Sequence, residues 1–181
     1  PASGSRLGVW MSVGDVNGDG PVEVIVGADG GAGTDRRGQV FVLSGPQEIS
    51  GSVELSALPA GGAVIRGVDP QDQFGSCVVS ADVDADGYSD IIVGAGAYGT
   101  ARNAYDREGG AGDGPNNGRP NAGEMYVVFG GPGLPAETDL STSPGETMVM
   151  YGADGGGQSP DRLGEEIVTA DVNGDGVADI L

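Results

Sequence analysis

Apolar residues in this chain fall into short runs, among them Val22-Glu23-Val24-Ile25-Val26, Ile91-Ile92-Val93 and Met125-Tyr126-Val127-Val128-Phe129. These runs are rich in β-branched and aromatic residues and are bounded by Gly, Asp and Asn, the pattern of short strands joined by turns. No stretch sustains a helical period of apolar positions, so the chain is predicted to be all-β.

The strand pattern repeats. Leu7-Gly8, Phe74-Gly75 and Leu163-Gly164 each precede an Asp that lies eight residues after the Leu or Phe: Asp15, Asp82 and Asp171. Each Asp opens a loop of one form: Asp15-Val16-Asn17-Gly18-Asp19-Gly20, Asp82-Val83-Asp84-Ala85-Asp86-Gly87 and Asp171-Val172-Asn173-Gly174-Asp175-Gly176. Agreement continues through Gly27-Ala28 against Gly94-Ala95, and through residues 38–45 against 123–130. The weak segment Glu54-Leu55-Ser56 falls on Asp139-Leu140-Ser141. Successive units start 67 and 89 residues apart; the second gains 18 residues between Ala95 and Gly123 and four between Gly152 and Leu163. The first unit holds four strand candidates, at 9–14, 22–28, 38–44 and 63–67. Four antiparallel strands per unit is the makeup of a propeller blade. The pattern divides the chain into blade one at 1–73, blade two at 74–162 with a long insertion near 98–122, and the start of blade three at 163–181.

Composition sharpens this reading. The 181 residues include 37 Gly and 11 Pro, a level that without a periodic pattern would signal low complexity. A formal charge of −19 rests on 27 acids against eight bases, all of them Arg, which makes nucleic acid and anionic lipid poor partners. His is absent, so neither a Ser-His-Asp site nor His-liganded zinc can be built. The single Cys77 lies in an apolar run and is expected to be a buried strand residue. No apolar stretch is long enough to span a membrane, and membrane insertion is not expected.

The acids concentrate in the three loops, where alternating oxygen-bearing side chains suit calcium, a hard cation taking six to eight oxygen ligands. Positions one, three and five supply Asp15, Asn17 and Asp19, then Asp82, Asp84 and Asp86, then Asp171, Asn173 and Asp175. Position six is a Gly that permits a sharp bend. Position seven offers a main-chain carbonyl from Pro21, Tyr88 or Val177, and position nine a carboxylate from Glu23, Asp90 or Asp179. An EF-hand starts alike but needs a bidentate Glu at position twelve and a following helix; Val26 and Val93 stand there, inside strand-like runs. Plain Asn-Gly hairpin turns need one or two such residues, not four oxygen ligands at one spacing three times over.

Phe74-Gly75 followed by Gly94-Ala95, with the Asp-rich loop between, resembles the FG-GAP repeat of integrin α subunits and of many bacterial secreted proteins. The likeness covers two complete repeats and the first third of another, with Leu7 and Leu163 in place of Phe and no Pro after Gly-Ala. Propellers of that family close with about seven blades, so the resemblance implies a fragment of a longer protein whose remaining blades are its partners. It also implies an extracellular, calcium-binding scaffold for protein or glycan recognition or adhesion, and not an enzyme. The alternative is the propeller module of a larger secreted enzyme, of hydrolase or phospholipase type, whose catalytic domain lies elsewhere. Both insertions are expected on the face away from the calcium loops, where integrin heads bind their ligands. Tyr98, Arg102, Tyr105, Arg107 and Arg119 are the recognition candidates there, and Arg36-Arg37 in the matching shorter loop is expected to be a solvated turn.

Overall fold

The computed structural model describes residues 6–30, 36–44, 52–96, 112, 114–155 and 161–181. Apart from one turn of 3-10 helix at Pro115–Asn117, its elements are strands. Strands β1 (Leu7–Gly14), β2 (Glu23–Ala28), β3 (Gln39–Leu43) and β4 (Ala63–Arg66) form an antiparallel meander. A second meander contains β5 (Cys77–Ala81), β6 (Asp90–Gly94), β7 (Glu124–Val128) and β9 (Thr147–Tyr151). Between β7 and β9 lies the short β8 (Glu137–Asp139), and β10 (Thr169–Ala170) with β11 (Asp179–Ile180) opens a third sheet. Among the described residues the chain is all-β, a partial β-propeller built on antiparallel meanders, with no closed barrel. Among the described residues no helix is long and apolar enough to cross a membrane.

Continuous apolar runs, not alternating ones, mark strands covered on both faces. Ile25, Val40, Val42 and Ile65 face Val78, Ile91, Val93, Tyr126 and Val128 across the layer between the two large sheets. The intervening residues point the other way. Val26, Ala28 and Phe41 take Leu55 and Leu58 on the outer face of the first sheet, while Cys77, Ile92, Met125 and Val127 meet Ile167 on the far face of the second. Cys77 is buried and free, as its apolar surroundings require. Phe74 is fully buried in the central layer, its ring edge-on to Tyr126 at 5.3 Å between centroids. Burying a side chain of that size contributes about 2–3 kcal/mol.

Successive repeats meet backbone to backbone. A Cβ on Gly27 would overlap the carbonyl oxygen of Gly75, and one on Gly94 would overlap that of Gly164. The Gly of each Gly-Ala pair thus abuts the Gly that follows the next Phe or Leu. Alongside, Gly38 bridges Phe74 and Gly123 bridges Leu163, both in parallel register. The Phe74 N–H donates to the Arg37 carbonyl (3.0 Å), and the Leu163 N–H donates to the Ala122 carbonyl (2.9 Å). Leu fills the Phe place in the third unit without loss of these main-chain bonds.

Two features depart from the sequence expectation. Strand β8 adds in parallel to β4, making the first sheet five-stranded. An unpaired β4 edge would expose a row of main-chain donors and acceptors. Here the Val64 N–H reaches the Ala136 carbonyl (3.0 Å), the Leu140 N–H reaches the Arg66 carbonyl (3.1 Å), and Arg66 pairs with Glu137 (2.6 Å). The equivalent Glu54–Ser56 stretch contains no strand, although both copies keep the turn that follows, Ala57 N–H to Glu54 carbonyl and Thr142 N–H to Asp139 carbonyl. Arg37 is also not a solvated turn residue: it is half-buried and pairs with Asp139 at 3.2 Å across the repeats.

On the other side of the first sheet, Leu7, Val9, Met11 and Val13 of β1 are exposed. One repeat on, Phe74, Ser76 and Val78 stand in the places of Leu7, Val9 and Met11 and are buried, and Ser80 in the place of Val13 is half-buried. Gly27→Ala is expected to lower the free energy of unfolding by about 1–3 kcal/mol, because backbone that would have to retreat carries the central layer with it. Gly133→Ala, where a Cβ meets nothing within 4 Å, is the control and should shift it by less than about 0.5 kcal/mol. Urea unfolding of both variants decides; coincident midpoints would mean that the junction has room for a methyl group.

Candidate metal centre

Three loops join first and second strands: residues 15–23 between β1 and β2, 82–90 between β5 and β6, and 171–179 between β10 and β11. Their internal hydrogen bonds follow one pattern. The first-position carboxylate accepts the amides of positions four and six in each case, Gly18 and Gly20 on Asp15 (2.7 and 3.0 Å), Ala85 and Gly87 on Asp82 (2.7 and 3.0 Å), Gly174 and Gly176 on Asp171 (2.7 and 2.9 Å), and Asp171 accepts a third amide, from Asp175 (3.1 Å). Position three accepts the N–H of position five: Asp19 on Asn17, Asp86 on Asp84, Asp175 on Asn173. Position five accepts from position seven where an amide exists, Tyr88 on Asp86 and Val177 on Asp175 at 2.8 Å, and Pro21 has none to give. Position nine accepts from position two: Val16 on Glu23 (3.0 Å), Val83 on Asp90 (2.8 Å) and Val172 on Asp179 (3.0 Å).

Wrapping a backbone around one side requires left-handed corners at positions four and six. Gly18, Gly20, Gly87, Gly174 and Gly176 all have φ between 74° and 97°, and Ala85 takes the same corner with φ 65°. A Cβ in that region is disfavoured.

Asp82, Asp84 and Asp86 bring one carboxylate oxygen each to within 4.8 Å of one another. Calcium–oxygen distances of about 2.3–2.6 Å put oxygens on opposite sides of one ion about 4.6–5.2 Å apart, so one such ion can touch all three. The donor set fits a hard divalent cation, whose chemistry there would be to neutralise the acids and cross-link the loop. Asp90 is fully buried beside them. Burial pushes its carboxyl above the ordinary value, opposed by the Val83 and Gly130 amides and reinforced by the charges of Asp84 and Asp86. In the first loop Glu23 is equally buried, but the Asn17 amide donates to both Asp19 (3.3 Å) and Glu23 (3.2 Å). Asn173 likewise donates to Asp179 (3.2 Å). The side-chain amide stands where a cation's positive charge would be useful, and the middle loop has no such group.

The structure brings together the side chains at positions one, three and five of the middle loop, and the Asn side chain links position three to position nine in the first and third loops. Two contributors escaped sequence reasoning. The Gly130 N–H, after β7, donates to the second oxygen of Asp90 (2.9 Å), and the Tyr88 side chain lies against Gly18 of the first loop. Gly130 sits forty residues from Asp90, and only the pairing of β6 with β7 brings it close. Of the recognition candidates, Tyr98, Arg102, Tyr105 and Arg107 lie outside the described residues. Arg119 donates to the Ala153 carbonyl (3.3 Å), which ties the end of the insertion to the turn after β9.

Two predictions follow from the loop geometry. Ala85→Gly should raise stability by about 0.5–1 kcal/mol, since relief of the left-handed corner outweighs the extra freedom of Gly in the unfolded chain, and thermal unfolding checks it. Asp90 has a folded-state pKa above its unfolded value, so its share of metal-free stability is intact below the ordinary carboxylate pKa and is lost as pH rises through the raised one. Asp90→Asn should flatten the metal-free stability curve as pH rises above the ordinary carboxylate range; an unchanged slope would mean that burial of Asp90 costs nothing.

The model of the FG-GAP repeat family matches residues 7–43. Among curated proteins, the chain is 28% identical over 179 residues to the phosphatidylinositol-glycan-specific phospholipase D of Bos taurus, 28% to that of Homo sapiens and 27% to that of Rattus norvegicus. Each match covers 98% of this chain and 18% of the relative, so the chain spans less than a fifth of the length of these proteins. These relatives correct the expectation that the protein is not an enzyme. That expectation weighed only the residues of this chain, a small share of the relatives' length, and an absence of His here says nothing of chemistry carried elsewhere. With the loop, strand order and glycine junctions recurring along the chain, residues 7–43 carry an FG-GAP repeat.

Proposed function

We propose that this chain is a calcium-holding β-propeller module of a larger, secreted enzyme of phospholipase type. The observation that carries the reading is the extent of the likeness, which runs through 98% of this chain and fills 18% of each relative, as one structural module of a longer protein would. By their names those relatives act on phosphatidylinositol-glycan, and we take the parent protein's substrate to be of that class. The blades are those at 1–73, 74–162 and 163–181, and the exposed β1 face supports docking of a further blade of the parent chain against Leu7, Val9, Met11 and Val13. The module's role is recognition of protein or glycan on the face opposite the loops.

Calcium is the proposed ion. Its ligands are Asp15, Asn17, Asp19, Glu23 and the Pro21 carbonyl; Asp82, Asp84, Asp86, Asp90 and the Tyr88 carbonyl; and Asp171, Asn173, Asp175, Asp179 and the Val177 carbonyl. The carboxylate triad of the middle loop supports this most directly. Loops of this kind fill where calcium is abundant, which supports secretion. The middle loop should bind tightest, because it presents four carboxylates and has no internal amide to substitute for the ion.

One set of experiments tests the proposal. The full-length parent should cleave a phosphatidylinositol-glycan, and absence of that cleavage overturns the enzyme assignment. This chain should melt higher in excess calcium than in excess chelator, and equal melting temperatures overturn the metal assignment. Asp84→Asn should lower the tightest calcium affinity towards that of the first loop. A titration in which Asp15→Ala abolished the tightest site would reverse the ranking.

A further inference from the structure

The three loops are physically joined. The Asp15 carbonyl accepts the N–H of Ser89 (2.9 Å), and the Asp82 carbonyl accepts the N–H of Ala178 (3.2 Å). In both places the residue that caps its own loop with its carboxylate anchors the eighth position of the next loop with its main chain. The first and middle loops share two more ties. Gly130 donates to the Asp90 carboxylate (2.9 Å) while its neighbour Gly131 donates to the Val16 carbonyl (2.9 Å), so one dipeptide holds both loops. The Tyr88 ring occupies the space where a Cβ on Gly18 would lie, and Gly18 is a left-handed corner of the first loop. A Cβ on Gly130 would stand 2.5 Å from the Ser89 carbonyl oxygen and 3.1 Å from that of Val16, which leaves no slack at this crossing.

We propose that calcium entering the middle loop pre-orders the first loop, so that the two ions bind with positive cooperativity through the Asp15–Ser89 bond, the Gly130–Gly131 bridge and the Tyr88–Gly18 contact. The inference rests on the reading of these loops as calcium sites. Filling the middle loop fixes the path from Asp82 to Asp90, and with it Tyr88 and Ser89. The first loop then has less freedom left to lose when its own ion arrives. Repulsion between the ions does not cancel the gain, because four middle-loop carboxylates around one dication still leave a net negative charge. Linkage makes the effect reciprocal: an ion in the first loop tightens the middle site by the same factor.

The test is a site-resolved calcium titration of the full chain by NMR. The Gly20 and Gly87 amides, held by Asp15 and Asp82 at 3.0 Å, report the first and middle loops separately. Disabling the middle loop with Asp82→Asn and Asp84→Asn together should weaken the Gly20 response by about fivefold or more. Tyr88→Ala keeps every middle-loop carboxylate and removes only the ring that stands against Gly18; it should weaken the Gly20 midpoint by part of the same loss. If both amides respond to calcium but the Gly20 midpoint is indifferent to the double substitution, coupling is overturned and the metal reading stands. If neither amide responds in any variant, the metal reading falls and coupling with it.

Discussion

The closest constraint in this molecule is the backbone-on-backbone approach where one repeat meets the next. Gly27 against Gly75 and Gly94 against Gly164 leave no room for a side chain, and that approach sets how near one sheet can stand to its successor. At that spacing the apolar residues of facing strands meet in one layer, with Phe74 and Tyr126 at its centre. The same spacing lines up the acidic loops so that the first-position carbonyl of one reaches the eighth-position amide of the next. The recurring glycines in the sequence are thus seats for the following repeat as well as turn residues.

Within each loop the carboxylates have two uses. Their oxygens cap amides that the tight turn leaves without strand partners, and a carboxylate has lone pairs beyond those caps to offer a cation. This is why three loops keep one shape with different charge. Asn17 and Asn173 satisfy neighbouring acids with their own side-chain amides, whereas Asp84 cannot, and its charge adds a little to the upward pKa shift that burial chiefly imposes on Asp90. The middle loop accepts a second cost in Ala85, held in a left-handed conformation where its sister loops have Gly.

The strands of the first unit were legible to within two residues at each end, because β-branched runs bounded by Gly and Asp admit little else. The loops were legible because their spacing recurs three times. What escaped the sequence depends on distance through space. Strand β8 forms because the β4 edge stands open beside it, and nothing within Glu137–Asp139 marks it as a strand. Arg37 looked like a solvated turn residue until the fold brought Asp139 to it from 102 positions away. The Gly130 amide became part of the middle loop for the same reason.

The enzyme question failed on a different ground. Repeats and loops are local patterns, and reading them yields the architecture of the stretch that contains them; a reaction belongs to a site, and sites are grafted onto folds without leaving a mark on neighbouring modules. Absence of His, and acids already committed to loops, constrained the chemistry of these 181 residues alone. Propeller blades bear little of any such mark, since each contacts chiefly its neighbours and its sequence is spent on the junctions and loops that this contact requires.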